Sequence, residues 1–91
     1  MSTIAIADVQ YRQGFVEVVP GIHDGHINLE AWNVSPSVSP LPDSVTSHLI
    51  QDRDVVSNVE LELSVAQARV LVGLLEKAIR DVEEKYVSGK P

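Results

Sequence analysis

The chain has 91 residues, of which 44% are hydrophobic and 22% charged, and this composition fits one folded domain with a modest core. It contains no cysteine, which excludes disulfides, thiolate metal sites and cysteine catalysis. The formal net charge is −6, and the few lysines and arginines form no cluster, so we expect no direct binding to nucleic acid.

Strand signals fill the first two thirds of the chain. A β-branched segment, Ile4 to Tyr11, and the segment Phe15 to Val19 are joined by a short connection that ends in glycine, which is typical of a hairpin. Apolar and polar residues alternate in His26 to Trp32 and in Val55 to Leu63, as in half-buried strands. Val45 to Gln51 is a further candidate. Short connections leave no room for parallel crossovers, so we predict a meander of four or five mostly antiparallel strands.

The connection around Asp24 allows two interpretations. Asp-Gly is a preferred tight-turn pair, which predicts a turn between the second and third strands with His23 and His26 beside it in solvent. The alternative is a small metal-binding or enzymatic site built from His23, Asp24 and His26. A zinc site needs three or four ligands, and the only other histidine is His48.

The segment 33–44 breaks the strand pattern. It holds three prolines and four serines, which a central strand does not accommodate. We predict an exposed, mobile loop here.

The strongest local signal begins at Ser64. Ser64 and Gln67 have the spacing of a capping box, which predicts a helix over residues 65–86 that ends near Ser88, Gly89 and Pro91. Its apolar residues form one broad arc, which we expect to pack on one face of the sheet. The predicted fold is therefore a single α+β domain, residues 1–91: an antiparallel four- to five-stranded meander with one long C-terminal helix packed on one face. The predicted core is Ile27, Leu29, Val59, Leu61, Leu63, Ala68, Leu71, Val72, Leu75, Ile79 and Val82.

Two apolar helix residues, Val70 and Leu74, fall outside this arc. The helix is roughly 33 Å long at about 1.5 Å per residue, whereas a typical strand spans only about 17–20 Å. The helix should therefore overhang its sheet, and we predict a homodimer formed through Val70 and Leu74. The alternatives are that both residues are isolated surface side chains or lie under the proline-rich loop.

Acidic side chains dominate the other face of the predicted sheet. Trp32 shares a strand face with Glu30, and Glu60 and Glu62 share one on the last strand. Because Trp is enriched at binding hot spots, we predict that these four residues bind another protein. The alternative is a solvated face with Trp32 folded under the loop. An open face does not enclose paired carboxylates as acid–base catalysis requires, and nucleophile-elbow and phosphate-loop motifs are absent, so we expect neither an enzyme nor a cofactor.

One segment carries a resemblance. Asn58 to Ile79, NVELELSVAQARVLVGLLEKAI, resembles the strand–cap–helix end of small domains of unknown function in actinobacteria and their phages. In those domains a V-x-L-E-L-S/T strand end leads into an A-x-x-L-x-x-L-L-x-x-A helix. The similarity covers about a quarter of the chain. It implies an accessory bacterial or phage protein and no activity that could be transferred.

Three functions follow from these patterns. We predict a non-catalytic protein-interaction or accessory protein that self-associates through its C-terminal helix. The first alternative is an acidic inhibitor of a nucleic-acid-binding protein, and the second is the metal-binding or enzymatic protein described above. We expect a cytoplasmic location without membrane binding, because the N-terminus lacks a signal-peptide pattern and no apolar run reaches the roughly 18 residues of a membrane helix. A mature secreted domain is the remaining possibility.

Overall fold

The alternating segments pair into one sheet. The computed structural model describes residues 2–88. Strands β1 (Thr3–Ile6), β2 (Gly14–Pro20), β3 (His26–Val34) and β4 (Val55–Ser64) lie side by side in chain order, and every pair is antiparallel. Helix α1 (Val65–Ser88) follows β4 directly. The predicted α+β class, the antiparallel meander and the long C-terminal helix are confirmed.

The sheet has four strands within the described residues, and the predicted strand at 45–51 is not formed. Its one serine bonds to the local backbone instead: the amide of Leu49 donates to the Ser47 hydroxyl at 3.2 Å. The amide of Ile50 donates to the Ser47 carbonyl at 3.0 Å. Such local bonds compete with strand pairing. β1 is also shorter than predicted, because a 3-10 turn occupies Gln10–Arg12.

Strand register separates the side chains into two unlike faces. Ile4 lies opposite Val16, Val16 opposite Ala31, and Ala31 opposite Val59, and paired residues project on the same side of a sheet. We call this side the apolar face. Its apolar members are Ile4, Ile6, Val16, Val18, Pro20, Ile27, Leu29, Ala31, Val59, Leu61 and Leu63, and the same register also places Gly14, Asn33 and Ser57 on it, at the end far from α1.

The opposite side carries the carboxylates. Glu17 lies opposite Glu30, and Glu30 lies opposite Glu60, so three acids form one row across β2, β3 and β4. Glu62 lies one pair further along β4, opposite Asn28. We call this side the acidic face, and Phe15 and Trp32 lie on it at the far end of the strands from α1.

A small core forms where the loop after β3 crosses this far end. Phe15 and Val34 are each 1% exposed. The amide of the Gln13 side chain, itself buried, donates to the carbonyl oxygens of Ser35 and Val38, both at 2.8 Å. These bonds hold the proline-rich segment against the sheet. The predicted loop at 33–44 thus begins after Val34 and is partly packed, whereas we predicted it to be exposed along its length.

The predicted core is wrong for the single chain. Five of its members are half-buried, and six are exposed: Val59, Leu61, Val72, Leu75, Ile79 and Val82. The reason lies at the junction of β4 and α1. Strand-to-helix connections usually take about 2–6 residues, but here Ser64 ends β4 and Val65 begins α1, so the helix has no connecting residues with which to reverse over its own sheet.

Most of the helix therefore extends away from the sheet. The contacts that it makes are mainly with β3 and β4. Ala68 and Leu71 are half-buried, and every residue from 72 to 86 is exposed. The helix includes Ser88, the first of the residues near which we predicted its end, and the other two, Gly89 and Pro91, lie outside the described residues.

Candidate interaction surfaces

The helix is capped at its N-terminus and is continuous. The amide of Gln67 donates to the Ser64 hydroxyl at 3.1 Å, and the Ser64 amide donates to Oε1 of Gln67 at 2.9 Å, which confirms the predicted capping box. Gly73 does not interrupt the helix. On the polar side, Lys77 Nζ donates to Asp81 Oδ2 at 2.8 Å, an exposed i, i+4 pair. Helix α1 presents two apolar surfaces to solvent.

The larger of these surfaces is the arc that we assigned to the core. We call its exposed part the helix arc, and it comprises Val72, Leu75, Ile79, Val82 and Tyr86, which are 54–72% exposed. The smaller surface consists of the predicted self-association residues.

Those residues, Val70 and Leu74, are 61% and 59% exposed. The alternative that the proline-rich loop covers them is therefore wrong. They lie on a different side of the helix from the arc. Self-association through these two residues remains a prediction, and the arc is a larger surface that could serve the same purpose.

The apolar face of the sheet is also uncovered. Ile4, Val59 and Leu61 are more than half exposed, and Val16 and Leu29 on the central strands are only half-buried. An open depression of about 540 Å³ lies at the end of this face beside the 3-10 turn. One side of the sheet is therefore uncharged and largely apolar, and it faces water.

The row of carboxylates has few neutralising partners. Glu17 Oε2 accepts from the Thr3 hydroxyl at 3.4 Å, and Glu30 Oε2 accepts from the Asn58 amide at 2.8 Å. Within residues 2–88, the side-chain carboxylate of Glu60 makes no hydrogen bond or ion pair. None of the four strands contains a lysine or arginine. Like charges directly opposite one another on adjacent strands are destabilising.

The acidic face includes the predicted interaction residues Trp32, Glu30, Glu60 and Glu62. The structure brings Glu30 and Glu60 into direct register and adds Glu17, which we did not identify. Alternation in the segment 15–19 indicates that Glu17 shares a face with Phe15, but its alignment with Glu30 depends on strand register, which the sequence does not reveal.

Trp32 lies in register between Phe15 and Asn58 on the acidic face. It is half-buried, whereas Phe15 beside it is fully buried. Trp32 therefore has features of both interpretations. Its ring lies on the face predicted for binding, and it also lies next to the small core. A role for Trp32 in binding stays a prediction.

Glu62 is tied to the turn between β2 and β3. Its Oε1 lies 2.5 Å from Nδ1 of His23, and its Oε2 accepts from the His23 backbone amide at 3.3 Å. The side-chain hydrogen bond from His23 is the main reason why the pKa of Glu62 lies below its ordinary value of 4.5. We predicted His23 to lie in solvent, and its ring is 69% exposed, but it also holds Glu62.

The turn itself has the predicted form. The amide of His26 donates to the His23 carbonyl at 3.1 Å, and Gly25 has φ of +74°, as the third residue of a type II turn requires. His26 Nδ1 lies 2.9 Å from the Asp24 carbonyl oxygen. The two imidazoles are therefore engaged with different partners, and among residues 2–88 no three His, Asp or Glu side chains are placed to hold a metal ion.

Comparisons with known proteins give no family assignment. No protein-family model matches the chain, and neither curated protein sequences nor solved structures show a significant similarity to it. In the described part of the chain, no helix is long and apolar enough to cross a membrane. The case for a function therefore depends on the surfaces described above.

Proposed function

We propose that this protein is a non-catalytic interaction protein that self-associates through its C-terminal helix. The observation that carries the proposal is the helix arc, because four of its large apolar side chains at helical spacing, Val72, Leu75, Ile79 and Val82, are 54–67% exposed in the single chain. Monomeric proteins rarely expose contiguous apolar patches beyond about 300–600 Å².

The total surface supports the same conclusion. A compact monomer of 9.9 kDa is expected to expose about 5,200 Å². This chain exposes 7146 Å², which is roughly 1,900 Å² more. A standard protein–protein interface takes about 800 Å² from each partner, so the surplus is large enough for a stable interface.

The radius of gyration also shows that the single chain is less compact than a typical monomer. The radius of gyration is 15.7 Å, against about 12 Å expected for a compact chain of this length. The small core at Phe15 and Val34 offers little apolar burial to offset the conformational entropy lost on folding. Association of two copies would bury the remaining apolar side chains, each contributing up to about 1–2 kcal/mol.

The test is the dissociation constant of the dimer, measured by sedimentation equilibrium on the wild-type chain and on Ile79→Glu. Ile79 lies in the helix arc, and a buried carboxylate there is costly. We expect Ile79→Glu to weaken the dimer at least tenfold. Arg80→Glu, on the polar side one residue later, is the matched control and should leave the dimer within about threefold of the wild type. Equal dimers from all three chains would reject self-association through the arc.

A second candidate function is favoured by the row of Glu17, Glu30 and Glu60. Uncompensated carboxylates on adjacent strands suit a basic partner, as in an acidic inhibitor that occupies the phosphate site of a nucleic-acid-binding protein. The test is competition with duplex DNA for DNA-binding proteins of the host. Glu30→Gln with Glu60→Gln should abolish competition, and salt should weaken the wild-type complex. A salt-insensitive complex would reject this function.

The biological setting is proposed on the sequence alone. The resemblance of residues 58–79 favours an accessory role in a bacterium or phage, and a cytoplasmic location is part of the same proposal.

A further inference from the structure

We infer that the apolar face of the sheet is the docking site for helix α1 of a second copy, so that two copies exchange helices reciprocally. The inference rests on the proposed self-association and adds the surface that receives the helix. It commits to one occupant, a second copy of this chain.

The apolar face has the character of a buried surface. Strand register places fourteen residues on it, of which eleven are apolar and none is charged; the other three are Gly14, Asn33 and Ser57. Antiparallel sheets commonly have one face packed on a core and one in water. Here the acidic face is the one suited to water, and the apolar face still needs a covering layer.

The chain's own helix cannot supply that layer. Ser64 is the last residue of β4 and Val65 the first of α1, so no residues remain for a reversal. As a result, every residue from 72 to 86 is exposed. A helix that leaves its own sheet in this way is free to reach the sheet of another copy.

The dimensions of the two surfaces match. The exposed helix segment, residues 72–86, is about 22 Å long at roughly 1.5 Å per residue. Strand β2 has seven residues, which span about 23 Å at roughly 3.3 Å each. The helix arc would therefore lie along most of the apolar face.

A helix–helix pair is the competing arrangement. Val72, Leu75, Ile79 and Val82 alternate at spacings of three and four, which also suits a coiled coil. That pairing, however, leaves the apolar faces of both sheets in water. Helix exchange covers the arc and the face at once, and because each copy gives one helix and receives one, the assembly closes as a two-fold dimer.

The available area agrees with exchange. The surplus of roughly 1,900 Å² over a compact monomer is more than twice the roughly 800 Å² that a standard interface takes from each partner. Two reciprocal helix-on-sheet contacts would use a surplus of that size.

Cysteine cross-linking tests the inference, since the chain has no cysteine of its own. Full-length Leu61→Cys is unfolded in urea and refolded together with Val72→Cys, Leu75→Cys or Ile79→Cys in turn. A short bismaleimide is then added, and mass spectrometry identifies the linked peptides. We expect a link between position 61 of one chain and at least one of the helix positions of the other.

Glu60→Cys is the matched control, because it lies next to Leu61 on the acidic face and should not link to the helix positions. A dimer that shows no link from position 61, or only links between two helices, overturns helix exchange and leaves the proposed self-association standing. A wild-type chain that sediments as a single 9.9 kDa species overturns both.

A charge substitution gives an independent readout. Leu61→Lys places an ammonium group on the apolar face, and we expect the dimer dissociation constant to rise at least tenfold. Glu60→Lys should leave it within about threefold of the wild type. If Leu61→Lys dimerises as the wild type does, the helix of the second copy does not lie on this face.

Discussion

Ser64 is both the last residue of β4 and the cap of α1, and it is bonded reciprocally to Gln67. The Gln67 amide donates to the Ser64 hydroxyl at 3.1 Å, while the Ser64 amide donates to Oε1 of Gln67 at 2.9 Å. This pair fixes the helix start at the strand end. As a result, the direction of the helix is set by the strand, and its apolar arc is separated from the sheet that precedes it.

A longer connection should therefore change the assembly. We predict that inserting Gly-Asn-Gly-Ser between Ser64 and Val65 lets the helix reverse over its own sheet, because such connections usually need about 2–6 residues. The inserted serine keeps a cap in front of Val65. Sedimentation should show a shift from dimer to compact monomer. The same insertion between Asp43 and Ser44, in the loop, should leave the dimer intact, and an unchanged dimer in both variants would contradict the role of the junction.

Gly14 is required by close strand packing. A Cβ atom at this position would lie 1.7 Å from the Trp32 carbonyl oxygen, which is a backbone atom of the paired strand β3. We predict that Gly14→Ala lowers the free energy of unfolding by at least about 3 kcal/mol. Urea unfolding at fixed protein concentration measures this.

Gly73→Ala is the control for Gly14. A Cβ there meets nothing within 4 Å in the single chain, and alanine is the better helix former by about 0.5–1 kcal/mol. The two substitutions should therefore act in opposite directions. A Gly14→Ala protein with wild-type stability would mean that β2 and β3 are not paired in this register.

Gln13 anchors the proline-rich loop. Its side chain is 3% exposed and donates to two carbonyl oxygens, those of Ser35 and Val38. Gln13→Ala leaves both acceptors without this donor and should cost about 2 kcal/mol. Limited proteolysis should then cleave the loop faster. Gln10→Ala removes an exposed bond to the Pro36 carbonyl and should change stability by less than about 0.5 kcal/mol, so equal effects would argue against a packed loop.

The pair of Glu62 and His23 predicts a pH dependence. The folded state lowers the pKa of Glu62 below 4.5, chiefly through the His23 side chain. A lowered carboxyl pKa stabilises the folded state above the ordinary pKa, and this contribution is lost as the pH falls through the folded-state value. We expect wild type to be more stable than His23→Ala near neutral pH, with the difference shrinking below about pH 4.5.

Carboxyl titration by NMR checks this directly. The pKa of Glu62 should move up toward its ordinary value in His23→Ala. His26→Ala should have a smaller effect, because His26 makes only the weakest contribution to the lowered pKa. If Glu62 titrates identically in all three proteins, the contact with His23 does not persist in solution.

Local features of the fold could be predicted from the sequence. The capping box at Ser64 and the Asp24–Gly25 turn depend on neighbours within three residues, and the alternation in β3 and β4 is a local pattern. Each is present as predicted. The burial of Phe15 could not be predicted, because it depends on a loop that crosses the sheet from twenty residues or more away.

The predicted core failed for a different reason. Its two halves, the apolar sheet face and the helix arc, are both real, but we assumed that they meet within one chain. The adjoining boundaries at Ser64 and Val65 were visible in the sequence and argue against that closure. The carboxylate row was identified only in part, because the alignment of Glu17 with Glu30 is set by strand register.

The central claim is that two copies cover each other's apolar surfaces, and the mass of the wild-type chain in solution tests it most directly. Sedimentation equilibrium at micromolar concentration should give twice the 9.9 kDa chain mass, with dissociation to unfolded or partly folded chains on dilution. A folded species of 9.9 kDa that unfolds cooperatively and independently of concentration would contradict the account.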